Sequence, residues 1–333
     1  MSNLHIIPDV LAKDIAREPI RKGFGKGLLR AGQDNPQVVA AAADLTESIQ
    51  MHLFRDAFPD RFVQVGIGEQ NLVAVGAGLA AMGKIPFVAS YAAFNPGRNW
   101  EQIRTTICLN DLPVRVIGGH AGVLTGPDGA THQMLEDIAM MRVLPNMVVI
   151  VPGDSLEAER ATLALVNDTR PAYLRMARDA TPIFTTDKTP FAIGKAYVLT
   201  EGSDITMVTT GAMTYEALVA AEKLYKQGID IEVVHCPTIK PLDAKTIVAS
   251  AQKTHHVIVA EEAQIIGGLG GAVAELLGQE YPVPVHRVGV HDRFGESGEP
   301  QELMDKFGLR AKNLVLAAHT MMEHKTKREK AWR

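Results

Sequence analysis

Short apolar runs alternate with segments of helical period along the first half of the chain. The apolar runs predict strands at residues 38–45, 62–65, 85–90, 113–118, 147–151 and 172–176. The helical periods predict helices at residues 21–31, 72–83, 99–109, 136–144 and 156–166. This alternation of strand and helix predicts an α/β fold with a doubly wound, mostly parallel sheet.

The pattern stops between residues 179 and 191, where two prolines and four threonines show no hydrophobic period. Strands are predicted again at residues 205–209, 231–235, 256–260 and 283–288, with helices at 215–227, 244–251, 270–277 and from residue 313 onward. We therefore predict two α/β domains. The first covers residues 1–186 and opens with a polar arm, and a smaller one covers residues 187–333 and ends in a basic, solvated helix tail. In the second domain we interpret Glu261 and Glu262 as packing and capping residues.

One stretch, residues 58–83, differs from the rest in having a single carboxylate among apolar residues. A strand ends in Gly66-Ile67-Gly68, Glu69 follows, and the next helix carries no charge as far as Gly83. A helix without charges is buried on most sides. Glu69 is then either a chemically active carboxylate in an apolar enclosure or an ordinary acidic residue at a helix N-terminus. The residues alone leave both explanations open.

Composition narrows the class of partner and the compartment. With 333 residues, 46% of them hydrophobic, and a net charge of −4, the chain gives no reason to expect nucleic acid or a membrane as partner. The two cysteines, Cys108 and Cys236, lie far apart and without metal-ligand spacing, which predicts buried thiols in a reducing compartment. No targeting pattern or long apolar run is present, so we expect a cytoplasmic location.

Polar and aromatic residues follow several of the predicted strands. In open α/β sheets, ligands bind at the carboxyl ends of the strands, so these residues are the candidates for chemistry. They are Asp44 with Ser48, Glu69, Tyr91 with Phe94, the segment from His120 to His132, and Arg178.

The segment at residues 119–133, called the site loop below, is rich in glycine and has no hydrophobic period. A loop of this length inside a compact domain is usually functional. It contains His120, Asp128 and His132, which bind protons or donate hydrogen bonds near neutral pH. A metal site from these three residues is a weaker alternative, because their spacing matches no standard zinc pattern.

Two other classes of site are disfavoured by context. The string Gly76-Ala77-Gly78 resembles part of a dinucleotide motif but lies inside the apolar helix, not in a strand-to-helix turn. The sequence also contains neither a phosphate-binding P-loop nor the nucleophile elbow of hydrolases.

The ordered motifs resemble the transketolase family over nearly the whole chain. They are Gly66-Ile67-Gly68-Glu69-Gln70, Tyr91 to Phe94, His120, Gly126-Pro127-Asp128-Gly129-Ala130-Thr131-His132-Gln133, Leu144-Pro145-Asn146 and Asp292-Arg293-Phe294-Gly295-Glu296-Ser297-Gly298. The resemblance implies a pyrimidine-binding domain for thiamine diphosphate followed by a transketolase C-terminal domain. The implied activity is transfer of a two-carbon ketol unit between sugar phosphates.

The resemblance also implies roles at the cofactor. Glu69 would bond the ring nitrogen N1′ of the aminopyrimidine and activate the cofactor, while Tyr91 and Phe94 would pack on that ring; a plain core pair is the alternative for the two aromatics. Asp44 would orient the cofactor or contact a partner chain. The family has a further aromatic where this chain has Gly97, and Trp100 is the candidate to replace it.

The remaining candidates would contact the substrate, again by resemblance. Hydroxyl groups of the sugar would be bound near its reacting carbons, and its phosphate would be bound farther out. His120 and Asp128 would bind the hydroxyls, and Arg178, Arg21 and Ser48 would bind the phosphate. His132 would line the same channel and bind the substrate or the amino group of the cofactor. Together with Glu69, His120 and His132 are the residues that we expect to be catalytic.

A third domain of full-length transketolases has no counterpart here. That domain holds the diphosphate of the cofactor through Mg²⁺ with a G-D-G motif, which this sequence lacks. The resemblance therefore implies a split enzyme, in which a separate N-terminal subunit supplies the diphosphate site and the metal ligands. Paired pyrimidine domains imply self-association within a heterotetramer.

Three other functions stay open. The beta subunit of a 2-oxo-acid dehydrogenase and a deoxyxylulose-phosphate-synthase-like enzyme share many of the motifs. A non-catalytic assembly subunit would keep only the interface.

Overall fold

The computed structural model describes residues 5–331, with side chains described as far as residue 323. The residues of the basic tail therefore lie outside the described side chains, and the first four residues of the arm lie outside the described chain. Within these limits, no helix is long and apolar enough to cross a membrane.

The first part of the chain alternates strand and helix as predicted. Its strands are β1 (Arg17–Pro19), β2 (Val38–Ala42), β3 (Phe62–Gln64), β4 (Ile85–Tyr91), β5 (Arg115–Gly119), β6 (Val148–Ile150), β7 (Ala172–Arg175) and β8 (Ala180–Pro182). Its helices are α1 (Ile20–Asp34), α2 (His52–Ala57), α3 (Glu69–Ala81), α4 (Trp100–Gln102), α5 (Asp137–Arg142) and α6 (Ser155–Asn167).

The second part repeats the alternation. Its strands are β9 (Tyr197–Thr200), β10 (Ile205–Thr209), β11 (Ile231–His235), β12 (Thr238–Lys240), β13 (Val257–Gln264) and β14 (Val285–Val290). Its helices are α7 (Met213–Tyr225), α8 (Ala244–Thr254), α9 (Leu269–Glu280), α10 (Pro300–Lys306) and α11 (Ala311–Ala331).

The larger sheet has the strand order β12-β6-β7-β5-β4-β2-β3. All its pairings are parallel except the one between β12 and β6, which confirms the predicted α/β, doubly wound class. The chain leaves β2 for β3 on one side and then places β4 on the other side of β2. This reversal opens a crevice at the carboxyl ends of the strands, where ligands bind in such sheets.

The smaller sheet has the order β14-β13-β10-β11-β9 and is parallel apart from β9. One strand of the second part, β12, leaves this sheet and extends the larger one. The predicted domain boundary between residues 186 and 187 stays a prediction. The sheets do not separate there, because β12, which lies after this boundary in the chain, pairs with β6 of the larger sheet.

The glycines in α1 have a packing role that the sequence interpretation treated only as a weakness. A Cβ on Gly23 would lie 1.7 Å from the carbonyl oxygen of Ser155, and one on Gly27 would lie 2.9 Å from that of Glu159. The two helices α1 and α6 approach so closely that only glycine fits at these contacts. Burial of apolar side chains such as Phe24 and Leu28 then offsets the helix propensity lost at the glycines.

Two predicted segments differ in detail from the expectation. The helix predicted at residues 99–109 begins as α4 and continues with π-type hydrogen bonding over Ile103–Cys108. The site loop is not structureless, because Val123–Asp128 forms a 3₁₀ turn broken at Gly126. Its first residues are buried against the second domain, which sequence period alone does not reveal.

A buried polar contact fastens the two domains together. Glu157 in α6 bonds Nε2 of His235 at 2.7 Å, and Nδ1 of His235 contacts the Thr214 hydroxyl at 2.7 Å. Glu157 also accepts from the backbone N–H of Gly153 at 2.7 Å. Oε2 of Glu157, both imidazole nitrogens of His235 and the Thr214 hydroxyl are all paired, which makes their burial tolerable.

We predict that Glu157→Ala destabilises the protein by about 3 kcal/mol, because it leaves His235 and the Gly153 N–H buried without partners. Chemical denaturation gives the free energy of unfolding. The matched control is Glu159→Ala on the same helix, where a partly exposed ion pair is worth less than about 1 kcal/mol. Equal losses in the two variants would contradict this account.

Candidate active site

Glu69 lies at the first turn of α3 with its carboxylate turned toward the carboxyl ends of the strands. The side chain is 1% exposed. One carboxylate oxygen accepts from the Ser90 hydroxyl at 3.0 Å, and the other pairs with the guanidinium of Arg98 at 2.8 Å. The carboxylate makes no hydrogen bond that caps α3. It is therefore directed at the crevice and not at its own helix.

Two buried amides fix the backbone of Glu69. Asn99 donates to the Glu69 carbonyl at 2.8 Å and to the side-chain oxygen of Asn95 at 3.0 Å. Asn95 in turn donates to the carbonyls of Val88 in β4 and Ile117 in β5. This chain of bonds holds Glu69 at a set position relative to two central strands.

An aromatic wall runs from Glu69 along the crevice. The Arg98 guanidinium lies 4.8 Å from the ring centre of Phe94, and the Phe94 and Tyr91 rings are stacked with centres 6.4 Å apart. Gly97 cannot carry the aromatic found in the family, since a Cβ there would lie 2.1 Å from the Ala93 carbonyl oxygen. Trp100 is directed elsewhere and donates to the Met140 carbonyl at 2.8 Å. Arg98 covers the part of the wall next to Glu69.

His120 continues the wall on the other side of Tyr91. The two rings stack with centres 3.8 Å apart. The Ser48 hydroxyl contacts the Tyr91 hydroxyl at 2.6 Å and Nε2 of His120 at 3.4 Å. His132 packs edge-on against Phe94 at 5.3 Å. Five of the predicted site residues therefore form one contiguous surface.

Two arginines lie beside this surface. Arg21 donates to the Arg178 carbonyl, and Arg178 donates to the Thr125 carbonyl at 2.9 Å. Nε of Arg21 and Nδ1 of His120 are buried without a hydrogen-bond partner. The unpaired N–H of Arg21 next to two guanidinium groups suits an anionic ligand, which would satisfy it.

His120 is neutral at pH 7. Burial is the main cause that lowers the pKa of its imidazole to about 3, and the nearby charges of Arg21 and Arg178 lower it further. Burial and the charge of Arg178 also lower the pKa of Arg21. The positive charge of this region therefore comes from the arginines, and His120 acts as a neutral hydrogen-bonding group.

Asp44 and Asp128 stand apart from the cluster. Both are exposed, and in the described part of the chain neither side chain makes a hydrogen bond or ion pair with it. Asp44 has a φ of 56°, and its backbone N–H bonds the Gln64 side chain. Among residues 5–323, no three His, Cys, Asp or Glu side chains converge as metal ligands.

Sequence reasoning missed three residues around Glu69. Ser90 is the last residue before Tyr91 and could have been found as a polar residue at a strand end. Asn99 and Arg98 lie in a turn that looks like ordinary surface, and no signal in the sequence marks their contact with Glu69.

Two family models match the chain. The model for the transketolase pyrimidine binding domain matches residues 18–183, and the model for the transketolase C-terminal domain matches residues 194–314. Together they cover most of the chain and confirm the resemblance seen in the motifs.

Individual relatives agree with the family models. The 6-deoxy-6-sulfo-D-fructose transketolase subunit SqwH of Clostridium sp. is 42% identical over 90% of this chain and 92% of its own length. One subunit of the apulose-4-phosphate transketolase of Phocaeicola vulgatus is 35% identical over 87% of this chain and 93% of its own length. A solved structure titled "Split gene transketolase, inactive beta4 tetramer" is 44% identical, has a TM-score of 0.86, and is matched over 98% of its length by 92% of this chain.

We predict that burial of neutral His120 makes stability fall with acid. The pKa of this histidine is depressed in the fold, so its contribution is present above pH 6.5 and is lost as pH falls toward about 3. The loss amounts to about 2 kcal/mol at pH 5. Denaturation at pH 7.5 and pH 5 should show that His120→Gln loses less stability than the wild type.

The control for this measurement is His291→Gln at an exposed position. It should follow the wild type at both values of pH. A His120→Gln curve parallel to the wild-type curve would contradict the assignment of a buried neutral imidazole.

Proposed function

Because the chain belongs to the transketolase family, we propose that it is the C-terminal subunit of a split, thiamine-diphosphate-dependent transketolase. It would transfer a two-carbon ketol unit between sugar phosphates. The observation that carries this proposal is Glu69, a buried carboxylate that leaves its own helix uncapped and lies beside a wall of aromatic side chains.

The residues present fit the aminopyrimidine end of the cofactor. A planar heteroaromatic ring needs an aromatic face and a carboxylate that can share a proton with a ring nitrogen. Phe94 and Tyr91 offer the face, and both are only half-buried. Glu69 offers the carboxylate, whose present partner Arg98 is exposed to solvent.

Thiamine diphosphate, when bound, supplies the electron sink that cleavage of a ketose requires. Glu69 would hold a proton at ring nitrogen N1′, and the Ser90 hydroxyl would keep its carboxylate in place.

The second half of the wall would bind the sugar. His120, being neutral, would donate or accept a hydrogen bond at a hydroxyl, and His132 would line the same channel. Arg178 and Arg21 would bind the terminal phosphate together with Ser48. Arginine suits this role because its planar fork bonds two oxyanion oxygens at once. The exposed Asp128 would complete its contacts only with substrate present, and Asp44 would face the cofactor or a partner chain.

A second subunit is part of the proposal. The sequence has no G-D-G motif, and the described side chains offer no metal-ligand cluster. We infer that the N-terminal subunit holds the diphosphate and Mg²⁺, in a cytoplasmic heterotetramer. The similar split-gene structure is titled an inactive tetramer of beta chains, which supports a need for the partner.

We predict that the purified chain has no transketolase activity and gains it when mixed with the N-terminal subunit. Glu69→Gln should lower kcat of the mixture by about 10²–10⁴-fold, because it removes proton sharing at the cofactor ring. Steady-state assay with xylulose phosphate plus ribose phosphate measures both effects.

Three outcomes would contradict this prediction. Activity of the chain alone would overturn the split arrangement. Near-normal turnover of Glu69→Gln would mean that Glu69 is an ordinary acidic residue at a helix N-terminus. The matched control is Glu101→Gln at an exposed position. Turnover of pyruvate in place of the sugar phosphates would favour a 2-oxo-acid dehydrogenase or deoxyxylulose-type enzyme.

We predict that Arg178→Met raises KM for a ketose with a terminal phosphate by about tenfold or more, since a charge-assisted hydrogen bond is lost. KM for a neutral ketose should not change. A 6-sulfo ketose is the third substrate to assay, because one relative is named for such a substrate. Arg104→Met, at an exposed position, is the control. An equal rise for neutral and anionic ketoses would exclude Arg178 as an anion ligand.

A further inference from the structure

The site loop sets the positions of several proposed substrate contacts. It carries His120, whose carbonyl accepts from the Thr125 hydroxyl at 2.7 Å. The carbonyl of Thr125 receives the bond from Arg178. The place of Thr125 therefore fixes both a hydroxyl-binding histidine and an anion-binding arginine.

The second domain holds the loop immediately before Thr125. The carboxylate of Glu262, in β13, accepts from the backbone N–H of Leu124 at 2.7 Å and also from that of Val123. Glu262 is 3% exposed. It belongs to the other domain and is 138 residues away in sequence. A buried carboxyl group that accepts two adjacent backbone N–H groups makes strong hydrogen bonds, so this contact restrains the loop backbone.

The carboxylate of Glu262 is itself held by a buried network. Arg175 donates to the Glu262 carbonyl at 2.8 Å and to Asp137 at 2.9 Å, and its guanidinium lies 3.9 Å from the Glu262 carboxylate. Burial raises the pKa of Glu262 to about 7, and the charge of Arg175 opposes that rise. The position of the acceptor thus depends on residues from both domains.

The fit between loop and carboxylate leaves no spare room. Gly122 has a φ of 80°, and a Cβ there would lie 2.3 Å from the Glu262 carboxylate oxygen. Farther along the loop, Gln133 donates to the carbonyls of Gly126 and Glu296, both at 2.9 Å. The second domain therefore contacts the loop on both sides of Thr125.

We propose that Glu262 is a positioning residue, through which the second domain holds the site loop in the conformation that substrate binding needs. It touches neither substrate nor cofactor. The statement about the substrate rests on the proposed function, whereas the restraint on the loop does not. This gives the second domain a part in the active site.

Glu261 provides a matched control. It is equally buried, and burial raises its pKa to about 7 as well. Its carboxylate accepts from the backbone N–H groups of Leu269 and Gly270 at the start of α9, both at 2.8 Å. Loss of either carboxylate removes hydrogen bonds from the second domain, but only loss of Glu262 removes hydrogen bonds to the backbone of the site loop.

The test is hydrogen–deuterium exchange of the full chain without substrate. In Glu262→Ala, exchange of the Leu124 amide should rise by about tenfold or more, because its hydrogen-bond acceptor is gone. Glu261→Ala should leave that amide unchanged, and Glu262→Gln should retain most of the protection because its amide oxygen can still accept. Equal exchange of Leu124 in the two alanine variants would overturn the proposal.

A variant on the loop covers the case in which Glu262→Ala does not fold. Gly122→Ala pushes the loop away from the carboxylate without removing a buried charge, and it should raise exchange of Leu124 in the same way. Unchanged exchange in this variant would also overturn the proposal.

Steady-state kinetics is the second readout, and it separates a positioning role of Glu262 from a general loss of structure. In the complex with the N-terminal subunit, Glu262→Ala should raise KM for a sugar phosphate about tenfold with a smaller fall in kcat, since the loop carries binding groups. Glu261→Ala should show no such split. Absence of ketol transfer in the wild-type complex would overturn the proposed function, and the exchange result would then decide the positioning role by itself.

Discussion

The buried charge of Arg175 is the constraint on which the join between the two domains depends. Its side chain is 3% exposed at the carboxyl end of β7. A guanidinium left unpaired at such a depth would cost several kcal/mol. Burial alone would lower its pKa, but the carboxylates of Asp137 and Glu262 outweigh this and raise it. The first domain supplies one carboxylate and the second supplies the other, so the fold is electrostatically complete only when the domains meet.

The same network ends at the candidate active site. Arg178 follows Arg175 by one short turn, and Glu262 bonds the loop that carries His120. A structural ion cluster and a binding surface therefore share one support at the carboxyl ends of the strands. This arrangement explains why the site loop is buried in its first half, although its composition is that of a surface loop.

Glu69 is a second buried charged residue whose partners come from other parts of the chain. Only one face of α3 is buried, so the expectation that its lack of charge means burial on most sides was wrong. The carboxylate of Glu69 is itself buried, and Ser90 and Arg98 provide the polar contacts that make it tolerable there. The Arg98 end of this contact is open to solvent. The carboxylate is thus held between one buried partner, Ser90, and one partner that is exposed to solvent, Arg98.

The sequence by itself determined the alternation of strands and helices, the doubly wound class and the chain segments at the carboxyl ends of the strands. These features follow from local periodicity, which a single chain displays directly. It also singled out Glu69, because one acid in a long apolar stretch is visible without a structure. The family motifs then indicated Tyr91, His120 and Arg178 as further residues of the same site.

Only the tertiary structure decided which residues meet across long separations. Arg98 pairs with Glu69, β12 crosses to the larger sheet, and Glu262 bonds the site loop 138 residues away. Glu261 caps a helix as the sequence interpretation expected, yet its neighbour Glu262 does not. Adjacent residues in a strand point to opposite faces, and the packing of a second domain determines what each face meets.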